Sequence, residues 1–293
     1  MFHGSIVALV TPMQKNGTID YSALKHLIDW HLEQKTDGFV FAGSTGEAAA
    51  LTDSERKKLL TVVVEYINGR RPVIAGTGTN STRKTITLTK LAKSIGADGC
   101  LIVTPYYVRP PQEGLYQHFY KIARTVALPM ILYNVPSRTG CDLLPETVAR
   151  LAKIDNIVGI KEATGRLDRL QALRQLCQAE FNYFSGDDPT CCEFMHLGGQ
   201  GVISITSNIA PKLMHELCQT IASDYSKALA INSKLADLHE LMCIESNPIP
   251  VKWSLAAMGH IAPGIRLPLV PLNEKYRARL LTALKSANLM KVD

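Results

Sequence analysis

Aromatic residues make up only 6% of this 293-residue sequence, and none interleave with arginine, so there is no platform for stacking bases and no nucleic-acid partner is expected. Long apolar runs are missing too. Stretches such as 6–10 and 101–103 fall far short of the roughly 20 residues a bilayer-spanning helix needs, so no membrane is expected. Cysteine occurs seven times, at 100, 141, 177, 191, 192, 218 and 243, an odd number with no Cys-x-x-Cys spacing. That pattern suits neither a disulfide framework nor a zinc ribbon. It reads as reduced, mostly buried small hydrophobes in a cytoplasmic protein. The adjacent Cys191-Cys192 pair, continued by Glu193-Phe194-Met195, reads as the packed face of a helix rather than a redox couple. The opening Met-Phe-His-Gly-Ser lacks a basic segment and a small-residue cleavage site, so no secretion signal is expected. Charge of one sign is not concentrated: 32 Lys and Arg against 26 Asp and Glu give +6, spread along the chain. The tight basic clusters Arg56-Lys57-Lys58 and Arg70-Arg71 read as solvated helix faces.

What is present is apolar mass in a regular order. The chain is 46% hydrophobic and 20% charged, enough for a sizeable core. Short β-rich runs recur at 5–10, 39–42, 73–75, 100–104, 130–135, 157–161, 181–185 and 202–206, the early starts 27 to 34 residues apart. Helical patterns lie between them. Leu24, Leu27, Ile28, His31 and Leu32 follow the i, i+3, i+4, i+7 template. Thr52 with Glu55 forms a capping box, and 81–95 reads as a helix ended by Gly96. The junctions Thr36-Asp37-Gly38-Phe39, Ala97-Asp98-Gly99-Cys100 and Gly199-Gln200-Gly201-Val202 form a weak internal repeat, each setting Gly just before a strand. Nearly continuous apolar strands imply a parallel sheet covered by helices. Eight βα units make a closed (β/α)8 barrel, the TIM-barrel architecture, the economical fold. The alternative is a doubly wound open sheet, which more often carries Gly-x-Gly-x-x-Gly after its first strand, where this chain has Val10-Thr11-Pro12-Met13. The expected division is a barrel core over 1–211 carrying the site and C-terminal helices over 212–293, which include the last barrel helix. These helices break at Asn247-Pro248, Pro250 and Pro263-Gly264.

In such a barrel chemistry sits at the C-terminal ends of the strands. Here those ends are Thr11, Gly43-Ser44-Thr45-Gly46-Glu47, Gly76-Thr77-Gly78, Thr104-Pro105-Tyr106-Tyr107, Tyr133-Asn134, Lys161-Glu162, Gly186-Asp187-Asp188 and Ile205-Thr206. Hydroxyls dominate, and none of the eight histidines lies there, which disfavours a metal centre. Lys161 closes the run Ile157-Val158-Gly159-Ile160, so its amine belongs to a buried strand end. Burial depresses an unpaired amine's pKa, and a neutral amine is what Schiff-base chemistry with a carbonyl requires. Taken alone, such a lysine reads rather as an ion pair with Glu162 or Asp187. Tyr133 ends the preceding strand, so its ring can lie beside Lys161 and its phenol can exchange protons. Arg138, in Pro136-Ser137-Arg138-Thr139-Gly140, has the donor fork to clamp a carboxylate, although singly it reads as a surface arginine. The Gly43–Glu47 turn offers backbone N–H groups and two hydroxyls to an anion such as a carboxylate. Gly76-Thr77-Gly78-Thr79-Asn80 reads as a close-packed barrel turn.

Together Gly43-Ser44-Thr45-Gly46-Glu47, Tyr133-Asn134-Val135-Pro136-Ser137-Arg138-Thr139-Gly140 and Gly159-Ile160-Lys161-Glu162-Ala163 resemble the dihydrodipicolinate synthase / N-acetylneuraminate lyase family, over essentially the whole chain. Val103-Thr-Pro-Tyr-Tyr107, Gln112-Glu-Gly-Leu-Tyr-Gln-His-Phe119 and Asn247-Pro-Ile-Pro-Val-Lys-Trp253 resemble its synthase branch. The resemblance implies a class I aldolase-type enzyme in which Lys161 forms a Schiff base with pyruvate and no metal or organic cofactor is needed. Tyr133 shuttles protons, relayed by Ser44 and by Tyr107 from a neighbouring subunit. Thr45, Gly186 and the backbone near Ile203 hold substrate, and Arg138 meets the carboxylate of L-aspartate 4-semialdehyde. A homotetramer, a dimer of dimers, and a place in diaminopimelate and lysine biosynthesis are implied as well. Ser44-Thr45 departs from the synthases' usual Thr-Thr toward the lyase branch, a serine hydroxyl serving the same relay, whereas Arg138 favours the synthase. A non-catalytic barrel is opposed by the joint presence of Lys161, Tyr133 and Tyr107. Members inhibited by lysine carry an acid and a histidine where this chain has Lys84 and Arg56, although Asn80 and Tyr106 remain. Lysine is therefore expected to inhibit weakly or not at all, and inhibition at sub-millimolar lysine would refute that.

Overall fold

Eight parallel strands close on themselves in the computed structural model, which describes residues 2–177 and 180–290. They are β1 (Gly4–Ala8), β2 (Gly38–Phe41), β3 (Val73–Gly76), β4 (Gly99–Val103), β5 (Met130–Asn134), β6 (Ile157–Glu162), β7 (Asn182–Ser185) and β8 (Gly201–Ser204). They run round the barrel in sequence order, and β8 returns to pair with β1, Ile203 opposite Ile6. The expected (β/α)8 barrel is the fold. Its first and last strands end earlier than their apolar runs because side chains capture the amides that would continue them. Val10 N donates to Asn208 Oδ1 at 3.0 Å, and Ile205 N and Thr206 N donate to Asp188 Oδ2 at 2.9 and 2.8 Å.

Period-two alternation divides the strands between two cores. Ile6, Val40, Ile74, Leu101, Ile131, Phe184 and Ile203 fill the barrel. Their neighbours Val7, Phe39, Phe41, Ala75, Ile102, Leu132 and Val202 face the surrounding helices. Local signals set the helix ends. Thr52 Oγ1 accepts from Glu55 N at 3.2 Å while Glu55 Oε2 accepts from Thr52 N at 2.9 Å, completing the capping box on the helix Asp53–Ile67. Ser81 caps Thr82–Ile95, and Gly96, at φ +91°, ends it in the left-handed region glycine tolerates. At Gly76 a Cβ would stand 2.2 Å from Ala42 O, so the turn after β3 is close-packed as expected. Cys191 and Cys192 are buried on the helix Cys191–His196.

Two expectations need correcting. Arg56 does not lie on a solvated face: it is buried, donating from Nη1 to Gly76 O at 2.9 Å and from Nη2 to Ala48 O at 2.8 Å. Pro250 breaks no helix. It sits in the first turn of Ile249–Ala257, where a missing N–H forfeits no intrahelical bond.

After β8 the helix Pro211–Thr220 packs against β1, and Tyr225–Leu241 packs on it and on Glu274–Ser286. This C-terminal region also reaches back over the mouth of the barrel. Asn247 Nδ2 donates to Thr45 Oγ1 at 2.9 Å, Lys252 pairs with Glu47, and Arg266 Nη1 reaches Ala50 O at 2.8 Å and Glu55 Oε2 at 2.9 Å. The segment between β2 and its helix is thereby pinned where the strands end. Among the described residues no helix is long and apolar enough to cross a membrane.

Candidate active site

The registers of β5, β6 and β7 decide what meets at the mouth. Tyr133 is the neighbour of Lys161 on one side and Phe184 on the other. Lys161 Nζ lies 4.5 Å from the centroid of the Tyr133 ring. Both side chains are buried, Lys161 at 5% and Tyr133 at 8% exposure. Neither alternative partner proposed for Lys161 forms an ion pair with it; each is hydrogen-bonded to other groups. Glu162 accepts from Asn134 Nδ2 at 3.1 Å and Thr164 N at 2.9 Å, and Asp187 from Thr190 Oγ1 at 2.7 Å. Asn134 also donates to Asp142, which Arg169 holds at 2.6 Å, so the ends of β5 and β6 are tied together by a network that omits the amine.

Burial therefore dominates the titration of both groups. It pulls the Lys161 amine down to about 8; the Asp188 charge opposes this and the Arg138 guanidinium adds to it. It pushes the Tyr133 phenol up to about 12, against the pull of Arg138 and of a hydrogen bond from Ser44. At neutral pH the result is a protonated phenol beside an amine of which roughly a tenth is neutral. Gly186 makes room for that amine: a Cβ there would lie 2.8 Å from Lys161 Cε and 2.7 Å from Ala163 Cβ. Ile203 is buried in the barrel core with Tyr133 and Phe184.

The turn after β2 supplies the polar floor. Thr45 is buried and Ser44 is exposed. Glu47 N and Ala48 N close the turn on Ser44 O and Gly43 O, while the N–H groups of Ser44 and Thr45 donate to no described residue and stay open to an anion. Glu47 holds φ +54°, a cost for a residue with a Cβ, and is fixed there by Lys252 and by Arg266 N at 3.1 Å. Arg138 stands exposed on the short helix Pro136–Thr139. With Ser137, Cys243, Glu245, Ser246 and Asn247 it lines a cavity of about 430 Å³.

Other candidates lie apart. Tyr107 is 87% exposed at φ +73°, flanked by exposed Tyr106 and Val108, and stands out from the site of its own chain. Asn80 is exposed, Lys84 pairs with Asp53, and the two terminal nitrogens of Arg56 are taken by backbone carbonyls, so none of these contacts involves Lys161. Sequence reasoning missed Asp188, Asn247 and the Glu47–Lys252 pair. Asp188 was visible only as a strand-end acid, and Asn247 only as a break between helices and the start of the Asn247–Trp253 stretch, with nothing to place it beside Thr45. Nothing in the spacing of residues 47 and 252 announces their contact. Among the described residues no three His, Cys, Asp or Glu converge on a point that could hold a metal ion.

Fold and site thus define a (β/α)8-barrel protein with a buried lysine–tyrosine pair at the C-terminal mouth of its strands. The model of the dihydrodipicolinate synthetase family matches residues 1–287, and the chain belongs to that family. It is 53% identical to the 4-hydroxy-tetrahydrodipicolinate synthase of Alcanivorax borkumensis over the whole of both chains. It is 54% identical to that of Methylococcus capsulatus over 99% of this chain and 100% of the other. The chloride-inhibited dihydrodipicolinate synthase of Acinetobacter baumannii, solved in complex with pyruvate, superposes with a TM-score of 0.98 at 52% identity, covering 99% of this chain and 100% of that one.

Proposed function

We propose that the protein is a 4-hydroxy-tetrahydrodipicolinate synthase, condensing pyruvate with L-aspartate 4-semialdehyde through a Schiff base on Lys161. The observation that carries this reading is the buried, unpaired Lys161 amine against the Tyr133 ring. The neutral amine adds to the pyruvate carbonyl. Tyr133 passes protons as the carbinolamine loses water to leave the imine. Loss of a proton from the pyruvate methyl gives an enamine, whose carbon attacks the aldehyde of the second substrate. The new alkoxide takes up a proton. The substrate's own amine then adds to the imine carbon and displaces Lys161, so the ring closes and the enzyme is regenerated. One water is lost overall and no electrons are exchanged, so the imine itself serves as the electron sink and no cofactor is called for.

In this reading Thr45, the open N–H groups of its turn and the backbone near Ile203 hold pyruvate, Gly186 seats Lys161, and Arg138 takes the second carboxylate. Ser44 relays protons to Tyr133, and Tyr107 completes the relay from a second copy of the chain. Its exposed Tyr106-Tyr107-Val108 patch supports a homotetramer in which that residue is covered. The free cysteines suit the reducing cytoplasm where lysine biosynthesis runs. Free lysine meets cations already engaged at Arg56 and Lys84, which supports the expectation of weak or absent inhibition. The test is intact mass after incubation with pyruvate and borohydride, followed by peptide mapping. A single reduced adduct on Lys161 is expected, with semialdehyde consumed by the enzyme when borohydride is left out. Folded protein that yields no adduct would overturn the mechanism.

A further inference from the structure

The cavity beside Arg138 contains more than a carboxylate clamp. Glu245, half-buried, lines the same space, yet the two opposite charges form no ion pair across it. Among the described residues the only hydrogen bond Glu245 receives is a long one, 3.3 Å, from Asn273 N. Asn247 completes the wall. It is 7% exposed, and its Nδ2 is spent on Thr45 Oγ1, while its Oδ1 is buried with no partner. A half-buried carboxylate without a cation is costly. The cavity thus presents one donor fork, at Arg138, and one acceptor without a cation, at Glu245. A monocarboxylate would satisfy the fork and leave the acceptor unmet. A molecule bearing a carboxylate and an ammonium satisfies both.

We infer that Glu245 holds the ammonium of the second substrate and makes this site selective for an α-amino acid aldehyde over its amine-free analogue. The inference rests on the synthase reading above and adds to it the group that recognises the amine. A site with an acceptor waiting for an N–H discriminates strongly against a ligand that lacks one, because the acceptor then stays desolvated and unpaired.

The test compares steady-state kinetics of the unmodified enzyme with those of Glu245→Gln and Glu245→Asp. The Gln variant is expected to raise the KM for L-aspartate 4-semialdehyde about 10- to 100-fold, the range for losing a hydrogen bond to a charged group. The Asp variant, which keeps the charge, recovers most of that loss. Competitive inhibition by 4-oxobutanoate, which has the same aldehyde and carboxylate but no amine, stays unchanged in both, as does borohydride trapping of pyruvate on Lys161. An unchanged KM in the Gln variant would overturn the inference. So would a loss of 4-oxobutanoate binding in the same proportion, because that would mark Glu245 as a support for the cavity wall. These outcomes leave the synthase reading standing. That reading fails separately, and takes this inference with it, if the unmodified enzyme traps pyruvate but does not turn over the semialdehyde.

Discussion

Lys161 and Lys252 are the two buried lysines among the described residues, 5% and 3% exposed, and they do opposite things. Lys252, on the helix Ile249–Ala257, meets Glu47 in a closed pair whose second carboxylate oxygen is taken by Arg266 N. Burial lowers its pKa while the Glu47 charge and hydrogen bond oppose that shift, and the pair works as a pin between the C-terminal region and the turn after β2. Lys161 lacks such a partner. The carboxylates beside it along the chain and across the strands are bonded elsewhere, and the aromatic face of Tyr133 is what it meets. One desolvated amine is compensated and structural; the other is uncompensated and reactive. Burial alone does not make a nucleophile: the difference lies in where the neighbouring carboxylates spend their oxygens.

The sharpest way to break this comparison is to remove each amine in turn. Lys161→Met is expected to lower turnover by more than about 10³-fold, the scale on which loss of a covalent nucleophile falls. It should abolish the pyruvate adduct and leave the denaturant midpoint unchanged or higher, since an apolar side chain relieves an unpaired buried cation. A midpoint that falls by several kcal/mol equivalents would show that Lys161 is structural after all.

Lys252→Met should do the reverse. It strands Glu47, 1% exposed at its side chain, as an uncompensated buried charge. Breaking such a pair costs about 3–5 kcal/mol, measurable by urea denaturation at pH 7. Adding Glu47→Gln should return a large part of that loss, because the stranded charge rather than the missing contact is the main cost. If the single change is as mild as a surface substitution, the pin does not exist.

How much of this contrast the chain discloses in one dimension depends on the range of the interaction. The barrel was readable because each βα unit carries its own apolar run and its own punctuation, such as the Thr52–Glu55 box or Gly96. Lys161 and Tyr133 were readable because each ends a strand and the two strands are consecutive, so sequence order becomes adjacency in space. Glu47 and Lys252 meet across most of the chain, and no local pattern records that. Arg56 looked solvated because it stands beside Lys57 and Lys58. Its burial depends on the carbonyls of Gly76 and Ala48, which only the folded turns deliver. Asn247 was hidden for the same reason: a residue read as a break between helices comes to rest on Thr45.

The finer test of the comparison is pH. With its pKa held down to about 8 by burial, Lys161 reacts through the deprotonated amine, so adduct formation with pyruvate should rise with pH, pass an inflection near 8 and level off. Lys252, closed against Glu47, is expected to form no adduct over that range. Single-turnover trapping followed by intact mass gives the curve. A rate that keeps climbing tenfold per pH unit to pH 10 would return Lys161 to the ordinary lysine range and remove the distinction between the two amines. Neighbouring charges then grade the effect. Asp188→Asn removes the carboxylate that favours the ammonium, so the inflection should move down and the rate at pH 7 should rise. Arg138→Met removes a repelling cation, so the inflection should move up, and by less, since an exposed guanidinium is screened by solvent and salt. Opposite displacements from the two variants would show that the poise of Lys161 is set by burial and trimmed by Asp188 and Arg138, whereas Lys252 is held by the one carboxylate it touches.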